Sequence, residues 1–342
     1  MTTLVTGGSG YLGEVLVSEL RARGDEVRIF DRVAPDASVP GTSFVRGDIR
    51  DRESVRRALS GCSLVHHAVA QVPLAKNADE FRTVNLDGTR ILLEEAERAR
   101  VRKVVLVSSS AIYGVPSSNP VTPSTAPAPR EAYGRAKLAA ERLGLDFVAR
   151  GMDVSIIRPR TVLGHGRLGI FQLLFEWVRR GRPIYLLGRG NHLFQFVHAT
   201  DLARACLLAD ARSGPATFLV GAERFGSMRE LLTSLVEHAG SASKVRALPL
   251  RAAELAMNVT SRLGLSPLGD YHALLYGREM YFDVSETKSL LGWSARYSNA
   301  EMIRESYDHY LSRRAEVLTR RHASHHRSPV GPKILRVLDF LP

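Results

Sequence analysis

Cysteine is scarce. Only Cys62 and Cys206 occur in 342 residues, far apart and without a second ligand pair nearby, so the sequence suggests neither a disulfide framework nor a zinc site. No apolar run reaches the roughly 18 residues that a spanning helix needs. Met1 leads directly into an apolar strand and a glycine loop, without the basic region and cleavage site of a signal peptide. These absences predict a protein in a reducing cytoplasm, soluble or peripheral at a membrane. Low-complexity tracts and internal repeats are also missing, and 44% hydrophobic with 24% charged residues is the composition of a folded protein. Acidic residues are in deficit, 35 against 47 Lys plus Arg, and the formal charge of +12 favours anionic partners. Nucleic acid is not expected among them, because no recognition motif interleaves aromatic residues with the basic ones.

What the sequence does contain, from Thr2 to Arg158, is an alternation of short β-branched runs with longer amphipathic stretches. The runs TLVT, EVRIFD, SFVRGD, SLVHHA, KVVLVSS and VSIIRP read as strands. Segments such as GEVLVSELRARG and FRTVNLDGTRILLEEAERAR, with apolar residues three and four apart, read as helices. This pattern predicts an α/β protein with a doubly wound, Rossmann-like parallel sheet. After about Gly164 the alternation becomes irregular: helix-like IFQLLFEWVRRG and MRELLTSLVEHAG are broken by PIYLLG and ATFLVG. The predicted organisation is a dinucleotide domain over 1–163, with later segments returning to it, a smaller α/β substrate-binding part over 164–312, and a basic, apolar tail over 313–342.

The loop after TLVT is GGSGYLG, which places Gly7, Gly10 and Gly13 in the spacing GxxGxxG before a helix opened by Tyr11 and Leu12. The first glycine permits a tight turn, the second lets backbone approach a pyrophosphate at a helix N-terminus, and the third allows tight helix packing. EVRIFD ends in Asp31, 24 residues after Gly7, where a carboxylate accepts hydrogen bonds from ribose hydroxyls. That favours NAD(H). The neighbouring Arg32 could hold a 2′-phosphate and keeps NADP(H) open.

In the helical segment EAYGRAKLAAERL, Tyr133 and Lys137 are four residues apart and share a face. A phenol that titrates near about 10 is a poor base at neutral pH, but an adjacent ammonium favours its phenolate. KVVLVSSSAIYG supplies a buried strand ending in three hydroxyls, 23 to 25 residues before the tyrosine, and a serine there can bind a substrate oxygen. Taken singly, each of these features also fits an ordinary turn, helix face or strand end.

In combination they resemble the extended short-chain dehydrogenase/reductase family: GxxGxxG, an acidic end to the second strand, the serine-rich strand end, YxxxK and a following RP, in that order over about residues 1 to 312. The resemblance implies that Tyr133 is the general acid/base and that Lys137 activates it and anchors the nicotinamide ribose. It also implies Ser109 as the third member, from the SxxxYG pattern ending at Tyr113 and Gly114, with Ser110 in reserve. By the same likeness Asp48 and Ile49 contact adenine, Ala68 lies beside the cofactor, Asn85 supports that side, and Pro159 flanks the nicotinamide.

The substrate is less legible. Sugar epimerases of the family carry an Arg before the [DQ]FVH strand and an Asn after RP, where this chain has Phe194 and the pair Arg160, Thr161. The dehydratases' Asp and Glu after the active-site hydroxyl are replaced by Ser110 and Ala111. The segment LPLRAAELAMNVTSRLGLSPLG followed by YFDVSETKSLLGW is more similar to the branch that acts on sterols and other hydrophobic alcohols or ketones. The leading expectation is therefore ketone reduction or alcohol oxidation on a bulky hydrophobic or amphiphilic, lipid-like substrate. The alternatives are a nucleotide-sugar 4-epimerase with tightly held NAD and a non-catalytic dinucleotide-sensing protein. The tail, with its arginines and apolar residues, suits peripheral contact with an acidic lipid surface, or a strap docked on its own domain or on the partner of a homodimer. Its His322, His325 and His326 do not form a closed metal site with any cysteine.

Overall fold

The computed structural model describes residues 2–72, 78–167, 170–249 and 277–319. The apolar segment from 250 to 269 and the tail from 320 onward lie outside the described residues.

Six parallel strands follow one another: β1 (Thr2–Thr6), β2 (Glu26–Asp31), β3 (Thr42–Arg46), β4 (Cys62–His67), β5 (Lys103–Val107) and β6 (Val154–Pro159). Shorter strands come next, β7 (Thr161–Leu163), β8 (Ile184–Leu187), β9 (Leu193–Phe194) and β10 (Phe196–His198), before β11 (Ala216–Val220), β12 (Gly226–Ser227) and β13 (Val245–Leu248). β11, whose sequence ATFLVG reads as part of the second half, pairs with β6 and completes a seven-stranded sheet in the order β11-β6-β5-β4-β1-β2-β3. All its pairings are parallel. Such a sheet is covered on both faces, which is why a strand like KVVLV is buried at every position.

Helices α1 (Tyr11–Arg23), α2 (Arg52–Leu59), α3 (Ala78–Arg82), α4 (Gly88–Arg98), α5 (Ala132–Ala149), α6 (Ile170–Arg179), α7 (Ala199–Ala211) and α8 (Met228–His238) provide the cover. Leu16, Val17 and Leu20 of α1 and Leu202 of α7 pack on one face. Val55 of α2, Leu92 of α4 and Phe147 of α5 pack on the other. A third core, built from Phe171, Phe175, Leu231 and Tyr307, belongs to the second half, where β8 pairs with β13. The chain enters its tail through the helix Asn299–Ser312, and Arg314 just beyond it reaches the buried Glu176 at 2.6 Å. Glu176 also accepts from Tyr310 Oη at 2.8 Å, so the start of the tail is clasped to α6.

Strand order reverses between β1 and β4, which opens a crevice at their carboxyl ends. The glycine loop follows β1, Ala68 follows β4, the serines follow β5 and Arg160 follows β6, so the fold delivers every sequence-distant motif to one edge. Helix α1 comes unusually close to its own loop: a Cβ at Gly13 would lie 2.0 Å from Gly7 O and 2.6 Å from Gly8 Cα. Gly7 itself has φ +71°, in the left-handed region that favours glycine. Because backbone cannot yield as a flexible side chain does, Gly13→Ala is expected to cost about 3 kcal/mol or more. Urea unfolding and NAD titration measure this; an unchanged midpoint with unchanged affinity would refute the close packing.

Candidate active site

The crevice holds a cleft of about 400 Å³ lined by the glycine loop, Asp31, Arg32, Asp48, Ile49, Ala68, Ser108–Ser110, Tyr133, Lys137, Pro159 and Arg160. Gly10 caps α1 without a side-chain hydrogen bond, and Gly10, Tyr11 and Leu12 line the cleft at the helix N-terminus, the kind of position that suits an anion. A Cβ on Gly7 would meet Val69 N at 2.9 Å, so the loops after β1 and β4 touch at the cleft floor.

At the other end of the loop Asp31 is fixed by Ser9 N and Val33 N, each at 3.2 Å. Burial raises its pKa, and these backbone donors oppose the rise. Arg32 leans toward Asp48 at 4.0 Å, and Arg50 binds the same carboxylate at 2.6 Å, holding Asp48 below the usual carboxylate range. Ile49 is buried against Gly88. Asn85 does not line the cleft. It sits in a π-turn, Thr83–Asp87, and grips the backbone of Gln71 through Gln71 N at 2.7 Å and Gln71 O at 2.9 Å, so it holds the loop that does. A glycine loop with no room for a Cβ at Gly7 or Gly13, the N-terminus of α1 and the Asp31 carboxylate around one cleft fit a dinucleotide.

The reacting end is assembled from three elements. Glu131 caps α5 by accepting from Tyr133 N at 2.7 Å and Gly134 N at 2.6 Å, which sets Tyr133 in the first turn, with Phe81 edge-on to its ring at 5.9 Å. Gly134 has no room for a side chain, because a Cβ would stand 2.5 Å from Ala111 O; α5 therefore packs directly on the short turn Ser110–Tyr113 that carries the serines. Ser109 Oγ accepts from Ala111 N at 3.1 Å, and its hydroxyl proton remains for donation. Ser110 Oγ takes Arg160 Nη1 at 2.9 Å. Sequence reading missed Glu131 and Gly134, since glutamate is not among the residues that ordinarily announce an N-cap.

Lys137 is 4% exposed and donates to Val107 O at 2.6 Å. Burial lowers its ammonium to about 8, and Glu141 opposes the shift. His67, next to it, is pushed down to about 3 by burial and by Lys137, so it is neutral. The neutral ring is oriented by its neighbours. Thr89 Oγ1 spends its proton on Asn85 O at 2.7 Å, so it accepts from His67 Nε2 at 3.0 Å, and His67 Nδ1 accepts from Thr6 Oγ1 at 2.7 Å.

Beside the cleft, behind Tyr11, His165, His198 and Glu305 bring ligand-type atoms within 4.8 Å of one another. His198 Nδ1 accepts from Thr200 N at 3.2 Å, which leaves the ring proton on Nε2. A metal-bound histidine donates from its second nitrogen instead, so this trio lacks the tautomer for a metal.

A parallel sheet with a glycine loop at its switch point and a serine, tyrosine and lysine around one cleft define a dinucleotide-dependent oxidoreductase. The chain belongs to the NAD dependent epimerase/dehydratase family, whose profile matches residues 3–221, and thus to the extended short-chain dehydrogenases/reductases with NAD as cofactor. It is 50% identical over 340 residues to the uncharacterized protein y4nG of Sinorhizobium fredii, covering 99% of this chain and 86% of that one. It is 30% identical over 320 residues, 88% of this chain and 94% of the other, to 4-hydroxy-2-methyl-3-oxo-4-farnesyl-3,4-dihydroquinoline-1-oxide ketoreductase of Stigmatella aurantiaca. The solved structure of MoeE5 in complex with UDP-glucose and NAD superposes with a TM-score of 0.76 at 29% identity, covering 92% of this chain and 100% of that one. Among the described residues, no helix is long and apolar enough to cross a membrane.

An unfolded lysine stays protonated to about 10.5 and the folded Lys137 only to about 8, so the unfolded chain binds more protons between those values. This group's contribution to stability is therefore lowest below pH 8 and grows as the pH rises toward 10.5. In cofactor-free protein, the unfolding free energy of the wild type minus that of Lys137→Met should rise across that window by up to about 1 kcal/mol per pH unit. A difference that stays flat with pH would show that Lys137 is not buried as a cation.

Proposed function

We propose that the protein oxidises a secondary alcohol or reduces the matching ketone in a bulky hydrophobic or amphiphilic substrate, with Tyr133 as general acid/base, Lys137 as its activator and Ser109 as the oxygen-binding hydroxyl. The observation that carries this reading is the meeting of those three side chains at the cleft that the glycine loop opens. The ketoreductase relative, whose name gives a farnesyl-bearing ketone, supports the substrate class.

Bound NAD supplies the hydride donor or acceptor. Gly7, Gly10, Gly13, Tyr11 and Leu12 hold its phosphates, Asp31 its adenosine ribose, and Asp48, Ile49 and Ala68 its adenine side, while Pro159 flanks the nicotinamide and Asn85 acts through the Gln71 loop. In the reductive direction Ser109 donates a hydrogen bond to the carbonyl oxygen, and the Tyr133 phenol gives its proton to the oxygen as negative charge develops there. Lys137, a cation below about pH 8, stabilises the phenolate that Tyr133 becomes. The reverse direction uses the same groups.

A nucleotide-sugar 4-epimerase is the second reading, favoured by the likeness to MoeE5 with UDP-glucose. It predicts interconversion of UDP-sugars without net change in NADH absorbance. Tyr133→Phe is expected to lower kcat by about 10²- to 10⁴-fold while NADH binding persists, and mass spectrometry of molecules co-purifying with that variant should recover a hydrophobic ketone or alcohol. Near-wild-type turnover would remove Tyr133 from its role. A panel in which UDP-sugars interconvert and hydrophobic ketones are inert would decide for the epimerase.

A further inference from the structure

A line of four buried polar side chains runs beneath the cleft: Thr6, His67, Thr89 and Asn85, none more than 2% exposed. Thr6 ends β1 immediately before Gly7, and His67 ends β4 immediately before Ala68. Thr89 lies in the first turn of α4, and Asn85 in the turn Thr83–Asp87 that leads into it. The line therefore joins the roots of the loops after β1 and β4 to the segment that grips the far end of the second loop.

Its hydrogen bonds run in one direction. Thr6 Oγ1 donates to His67 Nδ1 at 2.7 Å, His67 Nε2 donates to Thr89 Oγ1 at 3.0 Å, and Thr89 Oγ1 donates to Asn85 O at 2.7 Å. Asn85 then spends both ends of its amide on Gln71 N and O. Gln71 lines the cleft, as do Ala68 and Val69. Hydrogen bonds aligned in this way polarise one another, and a break in a dry interior leaves buried groups unpaired. Burial and the nearby Lys137 keep the His67 ring neutral, the state that this order of donors requires.

The line passes under a close backbone contact. Ala68 N donates to Thr6 O at 3.2 Å, and a Cβ on Gly7 would stand 2.9 Å from Val69 N. The two loops thus touch at their roots, and their separation farther out depends on how residues 68–71 leave that contact. His67 fixes one end of that stretch and Asn85 the other.

We infer that His67, acting through Thr89 and Asn85, is a positioning residue for the cofactor: the line sets the opening between the glycine loop and residues 68–71 that admits the dinucleotide. The inference needs only NAD in the cleft and is indifferent to the substrate.

Titration of NADH into the full chain at pH 7, followed by its fluorescence, tests it. His67→Leu keeps roughly the bulk of the ring but neither nitrogen, and should weaken NADH binding about 10-fold, the worth of one hydrogen bond. His67→Gln, whose amide again offers an acceptor toward Thr6 and a donor toward Thr89, should recover most of that affinity. A misfolded fraction lowers the amount of NADH bound and not the dissociation constant. Asn85→Ala should also weaken binding, and the double variant should lose clearly less than the product of the two losses, as members of one line do. In the wild type, histidine nitrogen-15 NMR from pH 5 to 8, assigned by the resonance that His67→Gln lacks, should show a neutral ring with its proton on Nε2. Wild-type affinity in His67→Leu, a His67→Gln as weak as His67→Leu, fully multiplicative losses in the double variant, or a His67 ring that is charged at pH 6 or carries its proton on Nδ1 overturns the inference.

Discussion

A buried ion pair ties together the three elements that carry the reacting groups. Arg158, near the end of β6, meets Glu141 of α5 through Nε and Nη2, at 3.1 and 2.6 Å, and donates from Nη1 to Tyr113 Oη at 2.8 Å. Tyr113 closes the turn that begins at Ser110, Glu141 lies one helical turn beyond Lys137, and Arg158 precedes Pro159 and Arg160. One guanidinium thus registers the serine turn, the tyrosine helix and the sixth strand against each other. Removing one partner of such a buried pair typically costs about 3–5 kcal/mol, since the other charge is left without compensation.

The same node shapes the electrostatics. Glu141 is occupied by Arg158, so its field reaches Lys137 already partly neutralised, and burial outweighs it in lowering the lysine to about 8. His67 stays neutral beneath it, adding no second cation. Along the cleft, Asp31, Arg32 and Asp48 lie where β2 and β3 end, on one side, and Lys137 and Arg160 lie by α5 and β6, on the other.

How much of this was legible depended on whether the cause was local. Strand runs and the Tyr133–Lys137 face are written in contiguous residues, and EVRIFD and VSIIRP coincide with β2 and β6 residue for residue. ATFLVG reads as a second-half segment because nothing within it records a partner 61 residues earlier, Ser155 opposite Ala216. The hold of Asn85 on Gln71 arises only when the segment Thr83–Asp87 and the loop after β4 meet. Choosing between Ser109 and Ser110 was a matter of counting in sequence; in the fold the two differ because one hydroxyl caps a turn and the other receives Arg160.

Arg160 also shows why parts of the cleft resist motif comparison. Ser109, Tyr133 and Lys137 stand just after β5 and on α5, all anchored on the sheet. Arg160 leaves that sheet at β6, yet the rings that orient it, Phe194 and Phe282, come from segments after Gly164. The guanidinium therefore sits on the seam between β6 and the segments after Gly164, with an arginine from one strand over the aromatic ring of another. Exchanging the aromatic walls would re-aim the guanidinium without displacing Tyr133, whose place is set by Glu131, Gly134 and the Arg158 pair. A single scaffold can in this way keep one proton-handling set while its relatives act on ketones or bind sugar nucleotides.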